Sequence, residues 1–114
     1  MSLDSQPEEL VEWARQLALS EKTPDGIICP GETSYFALIS GFAAGGKVRG
    51  RDYHAVAKSV SSVIRMQEPP VDHIIEDVRE AGFLMGKHLL ELMNEDNPGP
   101  RQTLQQPELR FVDV

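Results

Sequence analysis

The chain holds one cysteine, Cys29, so it cannot close an intramolecular disulfide. That thiol lies in an apolar run, which fits a buried group in a reducing compartment. No apolar stretch approaches the length of a bilayer-spanning helix, and Met1-Ser2-Leu3-Asp4 lacks the basic and apolar regions of a secretory signal. A cytoplasmic address with no membrane partner is the expectation. Basic side chains are scarce, eleven against eighteen acidic ones, and the net charge of −7 repels a polyanion. Direct nucleic-acid contact by these residues is therefore not expected. Aromatics make up only 6%, and Trp13, Tyr35, Phe36, Phe42, Tyr53 and Phe111 are too scattered for a base-stacking platform. What is present, 114 residues with 40% hydrophobic and 25% charged side chains, is the composition of one globular domain with a packed core.

Ser5-Gln6-Pro7-Glu8 has capping-box spacing and predicts a helix start. Leu10, Val11, Ala14, Leu17 and Ala18 then recur at helical steps, and Thr23-Pro24-Asp25-Gly26 ends the helix. The short apolar run 26–30, bounded by breakers, predicts a strand covered on both faces in a parallel sheet. A second helix is expected over about 33–44, with Tyr35, Leu38, Ile39 and Phe42 buried and Gly45-Gly46 supplying left-handed backbone at its end. Residues 53–57 predict a second strand ending at Lys58-Ser59. The serine-rich stretch before Pro69-Pro70 predicts a loop or one short helical turn. Residues 71–74 are expected to be extended. Asp77 can cap a third helix running from Val78 to about Met93, with Val78, Ala81, Met85, Leu89 and Leu92 inward. A turn cluster at 94–100 precedes two short strands, 101–104 and 109–112, parted by Pro107. Alternating helices and strands define an α/β fold with a mainly parallel sheet and flanking helices.

Several groupings invite chemistry. Gly41 to Lys47 has the glycine and lysine spacing of a phosphate-binding loop, but Val48 stands where a magnesium-binding hydroxyl is required, and the motif closes a helix instead of opening one. A helix C-cap explains it. Cys29, His54, His73 and His88 lack ligand spacing, so no metal, cofactor or thiol catalyst is expected. A small hydrolase using Glu76 and His73 has no legible nucleophile-base arrangement. Gly82 and Gly86 have the spacing of a close helix crossing and are expected to pack on the chain's own core. Ligands of open parallel sheets sit beyond the carboxyl ends of the strands, which selects Gly31, Glu32, Lys58 and Ser59 as candidates. Their acceptor, donor and hydroxyl are the mixed set that reads sugar hydroxyls. The alternative for Glu32 is a carboxylate that merely favours the start of the second helix.

Read in order, these segments resemble the C-terminal part of the effector-binding domain of LacI-type transcriptional regulators, from about Gln6 to Val112. Thr23-Pro24-Asp25-Gly26-Ile27-Ile28-Cys29-Pro30-Gly31-Glu32 is similar to the family's Pro-Asp-Ala-Ile-Phe-Cys-Ala-Ser-Asp. Gly50-Arg51-Asp52-Tyr53-His54-Ala55-Val56 resembles its Pro-Glu-Asp-Ile-Ser-Val-Val. Val71-Asp72-His73-Ile74 resembles its Leu-Thr-Thr-Val, and Gly82 its later helix glycine. Pro100-Arg101-Gln102-Thr103-Leu104-Gln105-Gln106-Pro107-Glu108-Leu109 follows its Pro-Arg-Gln-Val-Leu-Leu-Pro-Pro-Glu-Leu ending. The family's Gly-Phe-Asp-Asp is Ala57-Lys58-Ser59-Val60 here, so the aspartate that commonly holds the effector is replaced by Ser59 with Lys58 beside it.

The resemblance implies a partial type I periplasmic-binding-protein-like domain over 6–114, with 1–5 as a leading linker and 75–97 a crossover helix that belongs to the other lobe in intact relatives. It implies an effector site at Gly31, Glu32, Lys58, Ser59 and Glu76. The expected function is to sense a small molecule, a carbohydrate by preference, and to control DNA binding by a helix-turn-helix outside these residues. The expected assembly is a homodimer, without catalysis. The alternative is a small self-associating interaction module that reads no ligand.

Overall fold

The computed structural model describes residues 6–94 and 102–111. The first helix, α1, runs over Pro7–Leu19, and its cap lies one residue later than the expected Ser5. A proline disfavours helical backbone in the residue before it, so Gln6 is extended (φ −73°, ψ 152°) and becomes the cap with Pro7 as the first helical residue. The Glu9 carboxylate, not that of Glu8, accepts the Gln6 N–H at 3.4 Å. Ser5 lies outside the described residues. At the other end the Ser20 hydroxyl donates to Leu17 O at 2.7 Å, satisfying a carbonyl that the helix leaves open.

Four strands follow: β1 (Gly26–Cys29), β2 (His54–Ser59), β3 (Asp72–Ile75) and β4 (Glu108–Arg110). They form one sheet in the order β1-β2-β3-β4, with the first two pairs parallel and β3-β4 antiparallel. The mainly parallel α/β sheet read from the sequence is present. Helix α2 (Glu32–Ala44) lies between β1 and β2 in the chain, and a 3-10 turn at Val63–Met66 between β2 and β3. Helix α3 (Val78–Asn94) separates β3 from β4.

The core sits between α2 and one face of the sheet, with α1 packed against α2. Cys29, Tyr35, Phe42, Tyr53, Ala55, Ala57, Ile64 and Val71 are its buried members, joined by Ala14 and Ala18 of α1. Burial alternates along β2, with Ala55, Ala57 and Ser59 inward, because successive strand residues face opposite sides. The expectation that β1 is covered on both faces fails: Ile28 is 83% exposed. Among the described residues, its face of the sheet carries no helix comparable to α2.

Helices α1 and α2 meet through small side chains four residues apart on both partners, Ala14 and Ala18 against Gly41 and Gly45. A Cβ on Gly41 would lie 2.3 Å from Val11 O and 2.5 Å from Ala14 Cβ, and one on Gly45 would lie 2.7 Å from Ala18 Cβ. Only glycine admits that approach. Gly46 supplies the left-handed backbone that stops α2, with φ +84°, whereas Gly45, expected to share that conformation, has φ −86° and is used for packing. The close crossing expected at Gly82 and Gly86 is absent, since a Cβ at either would meet nothing within 4 Å.

Helix α3 starts where Asp77 was expected to cap it: Asp77 Oδ1 accepts the Glu80 N–H at 2.9 Å, and Asp77 O accepts that of Ala81 at 3.1 Å. The helix has no buried residue. Val78, Met85 and Leu89, expected inward, are exposed, and the partly covered line is Ala81, Leu84, His88 and Leu92. The radius of gyration, 18.7 Å, exceeds the roughly 13 Å of a compact chain of this length, in keeping with a helix that leaves the core.

The strand expected at 101–104 does not form: residues 102–104 have no regular structure, and Arg101 lies outside the described residues, as do 95–100 of the expected turn. Thr103 Oγ1 instead lies 3.2 Å from His88 Nε2, and Gln105 Nε2 donates to Asp77 O at 3.0 Å. These bonds tie the segment to α3, while the free edge of β3 is taken by Glu108–Arg110.

Candidate functional site

The carboxyl ends of β1 and β2 and the chain turns beyond them bring Glu32 and Ser59 together. Glu32, in the first turn of α2, turns its carboxylate onto the loop after β2. Oε1 lies 3.0 Å from both Val60 N and Ser61 N, 2.9 Å from Ser61 Oγ and 3.1 Å from Ser59 Oγ. Oε2 lies 2.9 Å from the same Ser61 hydroxyl. Partial desolvation pushes the Glu32 carboxyl up, but the donations from Ser61, Val60 and Ser59 outweigh it and hold the group below its ordinary value. The carboxylate thus clamps the loop. Ser59 is fully buried and its hydroxyl also lies 2.7 Å from Ser61 O, so its single proton has two acceptors inside the protein.

Lys58 precedes Ser59 on the same strand and faces the other side of the sheet. Its ammonium pairs with Glu76 Oε2 at 3.4 Å, both side chains being nearly half exposed. The two clusters are joined through backbone, because Glu76 N donates to Ser59 O at 2.9 Å. Gly31, also selected from the sequence, is the extended N-cap of α2 and its carbonyl accepts Tyr35 N at 3.1 Å and Ser34 Oγ at 3.0 Å. The five candidates therefore form a Glu32–Ser59 pair, a Lys58–Glu76 pair and a helix cap.

A cleft of about 470 Å³ opens beside them, beyond the carboxyl ends of β2 and β3. Its walls are the loop 60–62, the segment 75–80 that leads into α3, and Gln105, Gln106, Glu108 and Arg110 from the returning chain, with Arg65 at one end. Of the five sequence candidates only Glu76 reaches this wall. Glu32 and Ser59 act one layer behind it by fixing the loop that carries Ser61 and Ser62. The guanidinium of Arg110 pairs with Glu108, which leaves a wall of carboxylates, guanidiniums, amides and hydroxyls. Such groups recognise a polar, many-hydroxyl guest by directional hydrogen bonds.

Arg65, Arg79, Gln105 and Arg110 were not singled out from the sequence. Arg110 has a visible signal, since it alternates with Leu109 in a strand, but its cross-sheet neighbour His73 is far away in the chain. Among the described residues no group of three or more His, Cys, Asp or Glu side chains is arranged to hold a metal ion, and no helix is long and apolar enough to cross a membrane. No protein-family model matches the chain, and no curated protein matches it.

Proposed function

We propose that this chain is the effector-sensing and dimerising portion of a LacI-like transcriptional regulator, built as part of a type I periplasmic-binding-protein-like domain, and that its effector is a carbohydrate. The observation that carries the reading is the polar cleft beyond the carboxyl ends of parallel strands β2 and β3, lined by Glu76, Ser61, Gln105 and Arg110. Glu76 accepts sugar hydroxyls, and Gln105 both donates and accepts. In this reading the protein is cytoplasmic and not an enzyme, and a ligand that favours one arrangement of two lobes alters the DNA affinity of a helix-turn-helix outside these residues. A half-cleft binds weakly, with a Kd on the order of 1 mM. Thermal unfolding with a panel of mono- and disaccharides tests the proposal: at least one sugar raises the midpoint in a saturable way, and Glu76→Gln weakens that response. No sugar-linked shift in any member overturns it.

A second reading, a self-associating module, is favoured by α3 itself. Val78, Phe83, Met85, Leu89, Leu90 and Met93 are each 56–71% exposed. Together they present on the order of 600 Å² of apolar surface, close to the ~800 Å² per partner of a standard interface. The same helix carries a groove lined by Gly82, Gly86, Phe83 and Leu89. Knob and groove on one helix suit a two-fold pairing with a second copy. Both readings include a dimer; only the first includes a ligand.

A further inference from the structure

The face of the sheet opposite α2 carries an apolar diagonal. Ile28 of β1 is paired directly with Val56 of β2, and Ile74 of β3 with Leu109 of β4. Val56 and Ile74 are diagonal neighbours, because the partner of Val56 is Asp72, two residues before Ile74. All four side chains point away from the core, as alternation along each strand requires: Cys29, Ala57 and His73, on the other face, are buried. Ile28 is 83% exposed and Leu109 57%. Lys58 flanks the row on one side and Asp72 on the other, so an apolar centre has a polar rim, the anatomy of an interface.

Parallel sheets are ordinarily covered by helices on both faces. Here α2 covers one face, and α3, the helix that could cover the other, is itself bare, with no buried residue. It is held off its own sheet by the returning chain, in which Thr103 meets His88 and Gln105 donates to the Asp77 carbonyl. The molecule accordingly measures 62 Å along its longest axis against 34 and 21 Å. A helix of 17 residues is about 25 Å long, more than the roughly 14 Å between the outer strands of a four-stranded sheet. Each chain therefore has a bare helix and a bare sheet face, and each is the kind of partner the other lacks.

Area decides how they combine. The sheet row presents roughly 300 Å² of apolar surface, so one helix-on-sheet contact buries about 600 Å² from both sides, less than a stable pair needs. Two such contacts related by a two-fold axis bury about 1,200 Å², which reaches the range of specific interfaces. Helix against helix would cover α3 but leave Ile28 and Leu109 in water.

We propose that the open sheet face is the docking site for α3 of a second copy, two chains laying their helices reciprocally across each other's diagonal of Ile28, Val56, Ile74 and Leu109. The inference rests on the homodimer of the proposed function and names the surfaces that build it. It does not depend on a ligand.

The test uses the full chain, first in sedimentation equilibrium over a range of concentrations, where a dimer with a Kd on the order of 10 μM is expected. The contact is then mapped with a nitroxide on Lys87→Cys, an exposed position of α3; the native Cys29 is buried and stays unmodified. Nitroxide-bearing chains of natural isotopic abundance are mixed with ¹⁵N-labelled parent chains, so that any broadening passes between copies. The strongest broadening is expected at the backbone amides of Ile28, Val56 and Ile74. Ile28→Lys, at a position whose side chain is 83% exposed in the single chain, should weaken the dimer at least about tenfold with circular dichroism unchanged. A dimer whose broadening is confined to α3, or one that Ile28→Lys leaves as tight as the parent, overturns this proposal and leaves the homodimer standing. A chain that stays monomeric up to about 1 mM overturns both.

Discussion

Glu32 shows how a residue chosen for ligand chemistry can be engaged by the fold. Its carboxylate meets four donor groups from residues 59–61, so Glu32→Ala should release that loop and lower stability by about 1–2 kcal/mol in urea unfolding, with Glu32→Gln losing less. Its carboxyl is held below the ordinary value, so its contribution is full above the unfolded-state range and disappears as the pH falls through the folded-state range. The Glu32→Ala variant should therefore show a flatter acid limb in a stability-against-pH series than the parent. Cys29 behaves oppositely. Burial pushes its thiol up to about 11, so the folded chain should resist alkylation at pH 8 and react only on unfolding. The same raised value means that stability is retained below the ordinary thiol range and is lost as the pH rises through about 11. The buried thiol was legible in the sequence because Cys29 sits in an apolar run. The partners of Glu32 were not, because sequence position shows that a carboxylate opens a helix but not which loop folds back over it.

At the scale of elements, two glycine pairs with the same four-residue spacing have opposite environments. Gly41→Ala drives a Cβ into Val11 O and Ala14 and should cost about 2–3 kcal/mol, whereas Gly82→Ala and Gly86→Ala fill open space and should each stabilise α3 by about 0.5–1 kcal/mol. Urea midpoints of the three variants check the contrast. The spacing is visible in the chain; the partner is not, and it is Ala14 and Ala18 that select Gly41 and Gly45. The helices and parallel strands were legible from breakers and apolar periodicity, as was the Asp77 cap. Three features were not. The N-cap moved to Gln6 because Pro7 restricts it, the 102–104 segment bonded to α3 in place of forming a strand, and Ile28 stayed exposed because apolarity along a strand does not say which faces acquire a cover.

Over the whole molecule, the apolar surface of α3 and the polar cleft at its base have separate consequences. If a second copy covers α3, the sedimentation coefficient should rise with concentration, and Leu89→Asp should hold the chain monomeric while leaving its circular dichroism unchanged, because Leu89 is exposed in the single chain. The net charge of −7 opposes duplex binding, so a gel shift at low salt should show none by this chain. A sensing role requires that the cleft beyond β2 and β3 receive a sugar. It is tested most directly by titrating saccharides into ¹⁵N-labelled protein and following the side-chain amides of Gln105 and Gln106 with the backbone amides of Ser61, Glu76 and Asp77. Saturable shifts are expected for one class of sugar, concentrated on those five residues and weakened by Glu76→Gln. Saturable shifts that map elsewhere, or none for any sugar, would contradict it.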